Sequence, residues 1–286
     1  MSVEKEKVNL LIEALPYIKA LSGKTIVVKY GGHAMESPEI KKAVILDLIL
    51  LKYVGMNPVV VHGGGPEISS FLKMLEIESQ YHKGLRVTDR KTMEIVQMVL
   101  VGKVNQEIVK MINHHGGKAI GLSGIDGNTI VARKKLVEGV DLGFVGQVEK
   151  VNTEPVLSLV NSSYIPVLSP IGVGFDGESY NINADEVAGE VAAALKAEKL
   201  IVLTDVEGIF LDPQKPETLI TALQGTKAKR MIENGVISSG MIPKVEACIK
   251  ALEGGVNRTH IIDGRQPHSM LLEIFTDAGI GTMVVN

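Results

Sequence analysis

Lys29 and two glycine turns are the residues of this sequence best placed to do chemistry. Lys29 stands one residue inside the end of an apolar run, Lys24 to Tyr30, and is followed by Gly31 and Gly32. A second run, Val59, Val60, Val61 and His62, is followed by Gly63, Gly64, Gly65 and Pro66. Consecutive β-branched residues read as a buried strand, and glycines followed by proline read as a turn opening into a helix. Such a junction presents bare backbone N–H groups at a helix N-terminus, a geometry that holds phosphates and other anions. Two such turns on neighbouring strands would embrace a polyphosphate from two directions, with the Lys29 ammonium as a point charge.

Other chemistries find less support. Gly172-Val173-Gly174-Phe175-Asp176-Gly177 fits the Gly-x-Gly-x-x-Gly pattern, but no helix opens from it, so it reads as a loop unrelated to dinucleotides. No Gly-x-x-x-x-Gly-Lys-Ser/Thr stretch is present. His62, His114, His115, His260 and His268 lack metal-ligand spacing and read as loop or packing residues, so no protein-held metal is expected. Cys248 is the single cysteine, which leaves neither a disulfide framework nor a thiolate cluster and suits a cytoplasmic setting.

The elements that must position these turns follow from periodicity. Residues 8–21 place Val8, Leu11, Ile12, Leu15, Ile18 and Leu21 on one stripe interrupted by Pro16, which predicts a kinked amphipathic arm outside the first strand. Strand 24–30, helix 40–54 and strand 57–62 form a βαβ unit. Helix 66–77 follows, then a long helix over 88–114 with Thr88 or Asp89 as N-cap, and a strand at 118–122. Residues 129–133 and 144–148 are expected as a smaller antiparallel excursion. Helix 155–161, strand 164–168, an Ala-rich helix at 183–195 and strand 200–204 continue the alternation. Helices near 226–234, 243–252 and 269–275, with strands at 260–262 and 282–285, complete it. Repeated βα alternation predicts an α/β fold with a mainly parallel central sheet. The 286 residues suit two lobes: an arm at 1–22, a first lobe at 23–195 and a second at 196–286.

The formal net charge of −3 and the absence of Trp argue against a nucleic-acid partner, so an anion site must be built locally. The mixed charges of residues 1–7, with no long apolar run after them, argue against a signal peptide or membrane span.

Five ordered motifs then carry a resemblance: Lys29-Tyr30-Gly31-Gly32, His62-Gly63-Gly64-Gly65-Pro66, Asn181-Ile182-Asn183-Ala184-Asp185, Leu203-Thr204-Asp205-Val206-Glu207-Gly208 and Gly240-Met241-Ile242-Pro243-Lys244. Together they resemble the amino acid kinase family, and within it the branch whose acceptor is N-acetyl-L-glutamate. The resemblance covers essentially the whole chain. It implies an αβα sandwich with an N-terminal acceptor lobe, a C-terminal nucleotide lobe, and ATP as phosphoryl donor with Mg²⁺ carried on it. It also implies that Lys29 and Lys244 flank the transferred group and that Asp185 holds both lysines. Gly64, Gly65, Arg86 and Asn181 would contact the acceptor, Arg86 and Asn181 by its α-carboxylate. Gly31, Gly32, Gly63, Thr204, Asp205, Gly208, Gly240 and Met241 would contact the nucleotide. A γ-carboxylate with an ordinary pKa of about 4.3 is already an anion at neutral pH, so the lack of a Ser/His/Asp set fits this acceptor. One departure from the pattern is Ser239 in place of a glycine before Gly240 and Met241, with Lys244 keeping its spacing.

The arm and the C-terminal segments His268 to Glu273 and Gly279 to Thr282 are similar to those of arginine-inhibited, hexameric members, built as trimers of dimers. That similarity implies an effector site around Tyr17, Lys199, Glu273 and Gly281, an acid such as Glu273 suiting a guanidinium. Two readings stay open beside it: another carboxylate kinase, for glutamate or aspartate, and a non-catalytic nucleotide or arginine sensor.

Overall fold

The computed structural model describes residues 3–35, 37–212, 214–237, 240–276 and 279–286. The departure at Ser239, with Ser238, lies outside the described residues, as do the side chains of 3–8 and 10 in the arm. Helix α1 (Val3–Leu21) leads into β1 (Thr25–Tyr30), a 3₁₀ turn (Gly32–Met35), α2 (Pro38–Tyr53), β2 (Asn57–His62) and α3 (Gly65–Met74). A small hairpin of β3 (Tyr81–His82) and β4 (Leu85–Arg86) precedes α4 (Arg90–Gln97), a π-helical stretch (Met98–Asn105) and α5 (Gln106–His114). There follow β5 (Ala119–Ser123), β6 (Ile130–Val137), β7 (Val140–Val151), α6 (Glu154–Asn161), β8 (Ile165–Ser169), β9 (Ile171–Gly174), β10 (Ser179–Asn181) and α7 (Ala184–Ala194). The chain closes with β11 (Lys199–Thr204), β12 (Ala222–Gln224), α8 (Gly225–Glu233), α9 (Ile242–Glu253), β13 (Arg258–Asp263), α10 (Ser269–Phe275) and β14 (Thr282–Val285).

An eight-stranded sheet in the order β12-β14-β13-β11-β1-β2-β8-β5 runs through both predicted lobes. Its neighbours are parallel except β13 and β14. Strands such as 26–28 and 59–61 are apolar without a break because helices cover both faces. Alternation along β1 divides them: Ile26, Val28 and Tyr30 enter one core, and Val27 enters the other. Lys29 shares the parity of Val27 and so faces the layer that contains Val187, Ala188 and Val191 of α7. The three-layer αβα sandwich is thus the expected one.

Three local differences have physical causes. The helical segment after Asp89, whose side chain accepts from Thr92 N at 2.7 Å, widens into the π stretch in its middle. That stretch ends on Asn105, a polar side chain drawn into the sheet. The expected excursion is larger than predicted: β6 and β7 pair antiparallel and close into a small barrel with β9 and β10. The Gly172–Gly177 segment belongs partly to β9. A Cβ on Gly172 would stand 2.8 Å from Ala132 Cβ, so that glycine serves close packing in the barrel. Pro16 lies inside α1, which runs as one helix over Val3–Leu21. Among the described residues, no helix is long and apolar enough to cross a membrane.

Candidate active site

The two glycine turns touch. β1 and β2 are paired in register through Tyr30 and His62, and Gly63 N donates to Tyr30 O at 2.7 Å. A Cβ on Gly31 would lie 3.3 Å from Gly63 Cα and 3.4 Å from Lys29 Nζ, so a bare backbone is what lets the turns and the lysine meet. Gly32 holds φ +65°, a left-handed value that glycine adopts without strain. Gly64 is held from beneath, since a Cβ there would come within 2.5 Å of Leu100 Cδ2.

Lys29 Nζ lies 3.0 Å from Asp185 Oδ1, and Lys244 Nζ lies 4.0 Å from Oδ2 of the same carboxylate. Local sequence explains each placement. Asn183 caps α7, accepting from Asp185 N at 2.7 Å, which sets Asp185 in the first turn where the helix dipole favours an anion. Pro243 starts α9, and Lys244 sits in its first turn, its ammonium donating to Gly240 O at 3.2 Å. The Lys29 contact is an ion pair without the alignment of a hydrogen bond, so Asp185 Oδ1 remains a buried oxygen with no hydrogen-bonded partner among the described residues. One buried carboxylate thus stands between two cations.

Arg86 closes the other end. It is only 8% exposed, yet its guanidinium meets neutral acceptors: Ser79 Oγ at 2.7 Å, Ser69 Oγ at 2.8 Å and Gly65 O at 3.2 Å. It lies 4.8 Å from the centre of the Tyr81 ring. Burial lowers its pKa from an ordinary value so high that it stays charged. Among the described residues no carboxylate is paired with it, so a buried cation awaits an anion. Lys29, Gly32, Gly63, Gly64, Gly65, Arg86, Asn181 and Asp185 line one cleft of about 260 Å³.

The remaining candidates divide. Thr204 and Asp205 stand at the C-terminal end of β11, with the Thr204 hydroxyl donating to Asp205 Oδ1 at 3.1 Å. Gly240 and Met241 lead into α9 beside Lys244. None of these four lines that cleft. Gly208 is pressed against Thr282, where a Cβ would fall 2.5 Å from Oγ1, so close packing accounts for that glycine. Ser69, Ser79 and Tyr81 around Arg86 were not legible in the sequence, because serines in a polar stretch carry no period and no motif.

Tyr17, Lys199, Glu273 and Gly281 line a second cavity of about 610 Å³ between α1, β13 and α10. His260 joins them, against the expectation of a merely packing or loop residue: it is buried on β13, its Nδ1 is 2.6 Å from Glu273 Oε1, and its Nε2 is 3.1 Å from Lys199 Nζ. Burial lowers the His260 pKa against the pull of Glu273, so the ring is neutral, donating from Nδ1 and accepting from the lysine at Nε2. Burial pushes Glu273 up, but the His260 bond, the Ile280 amide and Lys199 outweigh it and hold the carboxyl below its ordinary range. Lys199 is lowered by burial and by Arg258.

Comparison with known proteins places this geometry. The chain is 59% identical over 288 residues to acetylglutamate kinase of Moorella thermoacetica, covering 98% of this chain and 97% of that one. It is 60% identical over 282 residues to acetylglutamate kinase of Desulforamulus reducens, covering 98% of each. Among solved structures, N-acetylglutamate synthase from Neisseria gonorrhoeae complexed with coenzyme A and N-acetyl-glutamate superposes with a TM-score of 0.85 at 28% identity, over 98% of this chain and 63% of that longer one. Carbamate kinase from Giardia lamblia shares the fold, with a TM-score of 0.68 at 15% identity over 92% of this chain and 99% of that one. The sequence pattern of the amino acid kinase family matches residues 24–263, and the chain belongs to that family.

Proposed function

We propose that this chain transfers the γ-phosphoryl group of ATP to the γ-carboxylate of N-acetyl-L-glutamate, giving N-acetyl-L-glutamyl 5-phosphate and ADP, a step of arginine biosynthesis. The observation that carries it is the pair of lysines on one buried aspartate beside two touching glycine turns, in a chain about 60% identical to acetylglutamate kinases.

The residues account for the chemistry. Arg86 and Asn181 take the α-carboxylate of the acceptor, exchanging serine hydroxyls on Arg86 for a bidentate charge pair. The γ-carboxylate needs no base, because it is already ionised. Its oxygen attacks the γ-phosphorus, the bond to the bridging oxygen breaks, and ADP leaves with the electron pair. The obstacle is repulsion between two anions. Lys29, Lys244 and the glycine amides neutralise charge on the equatorial and leaving oxygens, while Asp185 keeps both ammonium groups aimed. Thr204, Asp205, Gly240 and Met241 border the nucleotide side. Among the described residues no group of three His, Cys, Asp or Glu gathers to chelate a metal. Mg²⁺ carried on the ATP would supply further positive charge at the phosphate oxygens.

The test is ADP release with N-acetylglutamate, glutamate, aspartate and carbamate as acceptors. Turnover is expected with the first; its absence overturns the proposal, and preference for glutamate or aspartate replaces it with another carboxylate kinase.

We also propose that arginine inhibits through the second cavity and that α1 forms a contact between subunits, in a cytoplasmic hexamer. Glu273 and Lys199 offer the acid for a guanidinium and a cation for a carboxylate. A solved structure of N-acetylglutamate synthase at 27% identity and a TM-score of 0.82 is a complex with coenzyme A and L-arginine. On α1, Leu11, Ile12 and Leu15 are 72%, 62% and 55% exposed, an apolar stripe that a second copy would cover. Deleting residues 1–22 should keep catalysis, lower the mass seen by light scattering and abolish arginine inhibition; full inhibition of the truncated chain overturns the role of the arm.

A further inference from the structure

His62 ends β2 immediately before the glycine turn, and its ring is fully buried. Nothing in the transfer chemistry above uses it, yet its surroundings fix its protonation. Burial lowers its pKa to about 4, so the ring is neutral and carries one N–H. Nδ1 lies 2.7 Å from Gly63 O, which can only accept, so the proton is on Nδ1. Nε2 must then accept, and Asn105 Nδ2 stands 3.2 Å from it. The Asn105 amide is itself unambiguous: the same nitrogen donates to Val167 O at 2.8 Å, and its Oδ1 lies over Gly121, where a Cβ would come within 1.8 Å. Asn105 is 1% exposed, and the bonds from Asn105 Nδ2 to His62 Nε2 and from His62 Nδ1 to Gly63 O run in sequence to the glycine turn.

The Gly63–Gly64 peptide is trans, so its C=O and N–H point in opposite directions. Holding the Gly63 carbonyl against the buried ring turns the Gly64 N–H the other way, to the side where Gly63, Gly64 and Gly65 line the cleft. Leu100 and Val104 of the same π stretch press on Gly64, where a Cβ would stand 2.5 and 3.3 Å from their methyl groups. The widened helix therefore buttresses the turn with two side chains and controls its tautomeric lock with a third.

We propose that His62 and Asn105 are positioning residues for the transfer reaction: Asn105 selects the Nδ1–H tautomer of His62, and that N–H pins the Gly63 carbonyl so that the Gly64 amide is aimed at the anion in the cleft. This rests on the kinase reading for the anion's identity. A side chain that only filled space would be served as well by leucine. The positioning role requires a donor at the Nδ1 position.

The full-length chain with ¹⁵N-labelled histidine gives the first readout, the His62 signal being the one lost in His62→Asn. The expected spectrum at pH 7.5 shows a protonated Nδ1 and a bare Nε2; a proton on Nε2 overturns the proposal. The second readout is kinetic. His62→Leu should lower kcat by about tenfold or more, the scale of one misaimed anion donor, with the KM for ATP unchanged. His62→Asn, whose amide nitrogen falls near Nδ1, should recover most of that loss. Equal losses in the two variants, or no loss in His62→Leu, overturn it. Turnover of N-acetylglutamate by the parent chain reads the kinase proposal separately, because the tautomer is measured whether or not any acceptor is phosphorylated.

Discussion

The transfer cleft and the arm-side cavity both gather charged side chains, but their charge balance is opposite. At the cleft, Asp185 is the one carboxylate among the described residues that pairs with Lys29 and Lys244, and none pairs with Arg86. In the cavity, two cations, Lys199 and Arg258, meet two carboxylates, Glu198 and Glu273. Excess positive charge suits polyanions and a reaction that crowds them together; a balanced set of separated opposite charges suits a zwitterion with its own cation and carboxylate. Polar satisfaction differs in the same sense. Among the described residues Asp185 Oδ1 finds no hydrogen bond, whereas both oxygens of Glu273 are hydrogen-bonded, to His260 and to Ile280 N. The cleft is left unfinished for its ligands, and the cavity is preset.

The largest effect is expected where the excess charge acts on chemistry. Lys244→Ala should reduce kcat by about 10²–10³-fold with modest change in either KM, because its ammonium matters most as charge moves onto the leaving oxygen. Initial rates over both substrates measure this; an unchanged kcat removes Lys244 from the site. Arg86→Lys comes next. It keeps the charge but loses the planar fork, so the KM for the acceptor should rise by about tenfold while the KM for ATP stays. An equal rise in both would mean that Arg86 supports the turn rather than the acceptor.

Much of this contrast could be read before the structure. β1 and β2 announce themselves by unbroken β-branched runs, and Lys29 at a strand end followed by two glycines survives translation into three dimensions unchanged. The motifs around Asp185 and Lys244 were legible as a pattern, although each residue alone would pass for a first-turn acid or a surface lysine. Other features were hidden for physical reasons. The π stretch keeps the apolar spacing of an ordinary helix over Met93, Val96, Val99, Leu100 and Val104, so its widening at Asn105 leaves no periodic trace. His260 sits in an apolar strand, and only the fold brings it to Glu273 and Lys199. The glycines at 172 and 174 copy a nucleotide-binding pattern because close barrel packing also demands missing side chains.

The cavity supplies the third effect. Glu273→Gln keeps the shape and the Ile280 contact but removes the charge that a guanidinium would meet. The arginine concentration for half inhibition should rise by about tenfold or more, with uninhibited kcat unchanged. Unaltered inhibition would detach the cavity from regulation.

The last effect falls on stability and leaves turnover untouched, and it concerns the link between the two regions. α10, which carries Glu273 into the cavity, is preceded by His268, whose Nδ1 is 2.5 Å from Asp47 Oδ1 on α2. α2 in turn follows the Gly32–Met35 turn that borders the cleft. Asp47 is almost wholly buried, and burial raises its pKa from 3.8 to about 6 although His268 opposes the rise. Between pH 4 and 6 the unfolded chain therefore gives up this proton before the folded one does, and folding stability falls as pH rises through that window. Asp47→Asn removes the titration. Its stability relative to the parent should climb from pH 4 to pH 6 by up to roughly 3 kcal/mol and then level off. Denaturation midpoints of both chains at pH 4.5, 5.5 and 7.5 measure the difference. A gap that stays flat or narrows with rising pH would mean that His268 holds Asp47 ionised throughout, making this junction a fixed ion pair rather than a costly buried acid.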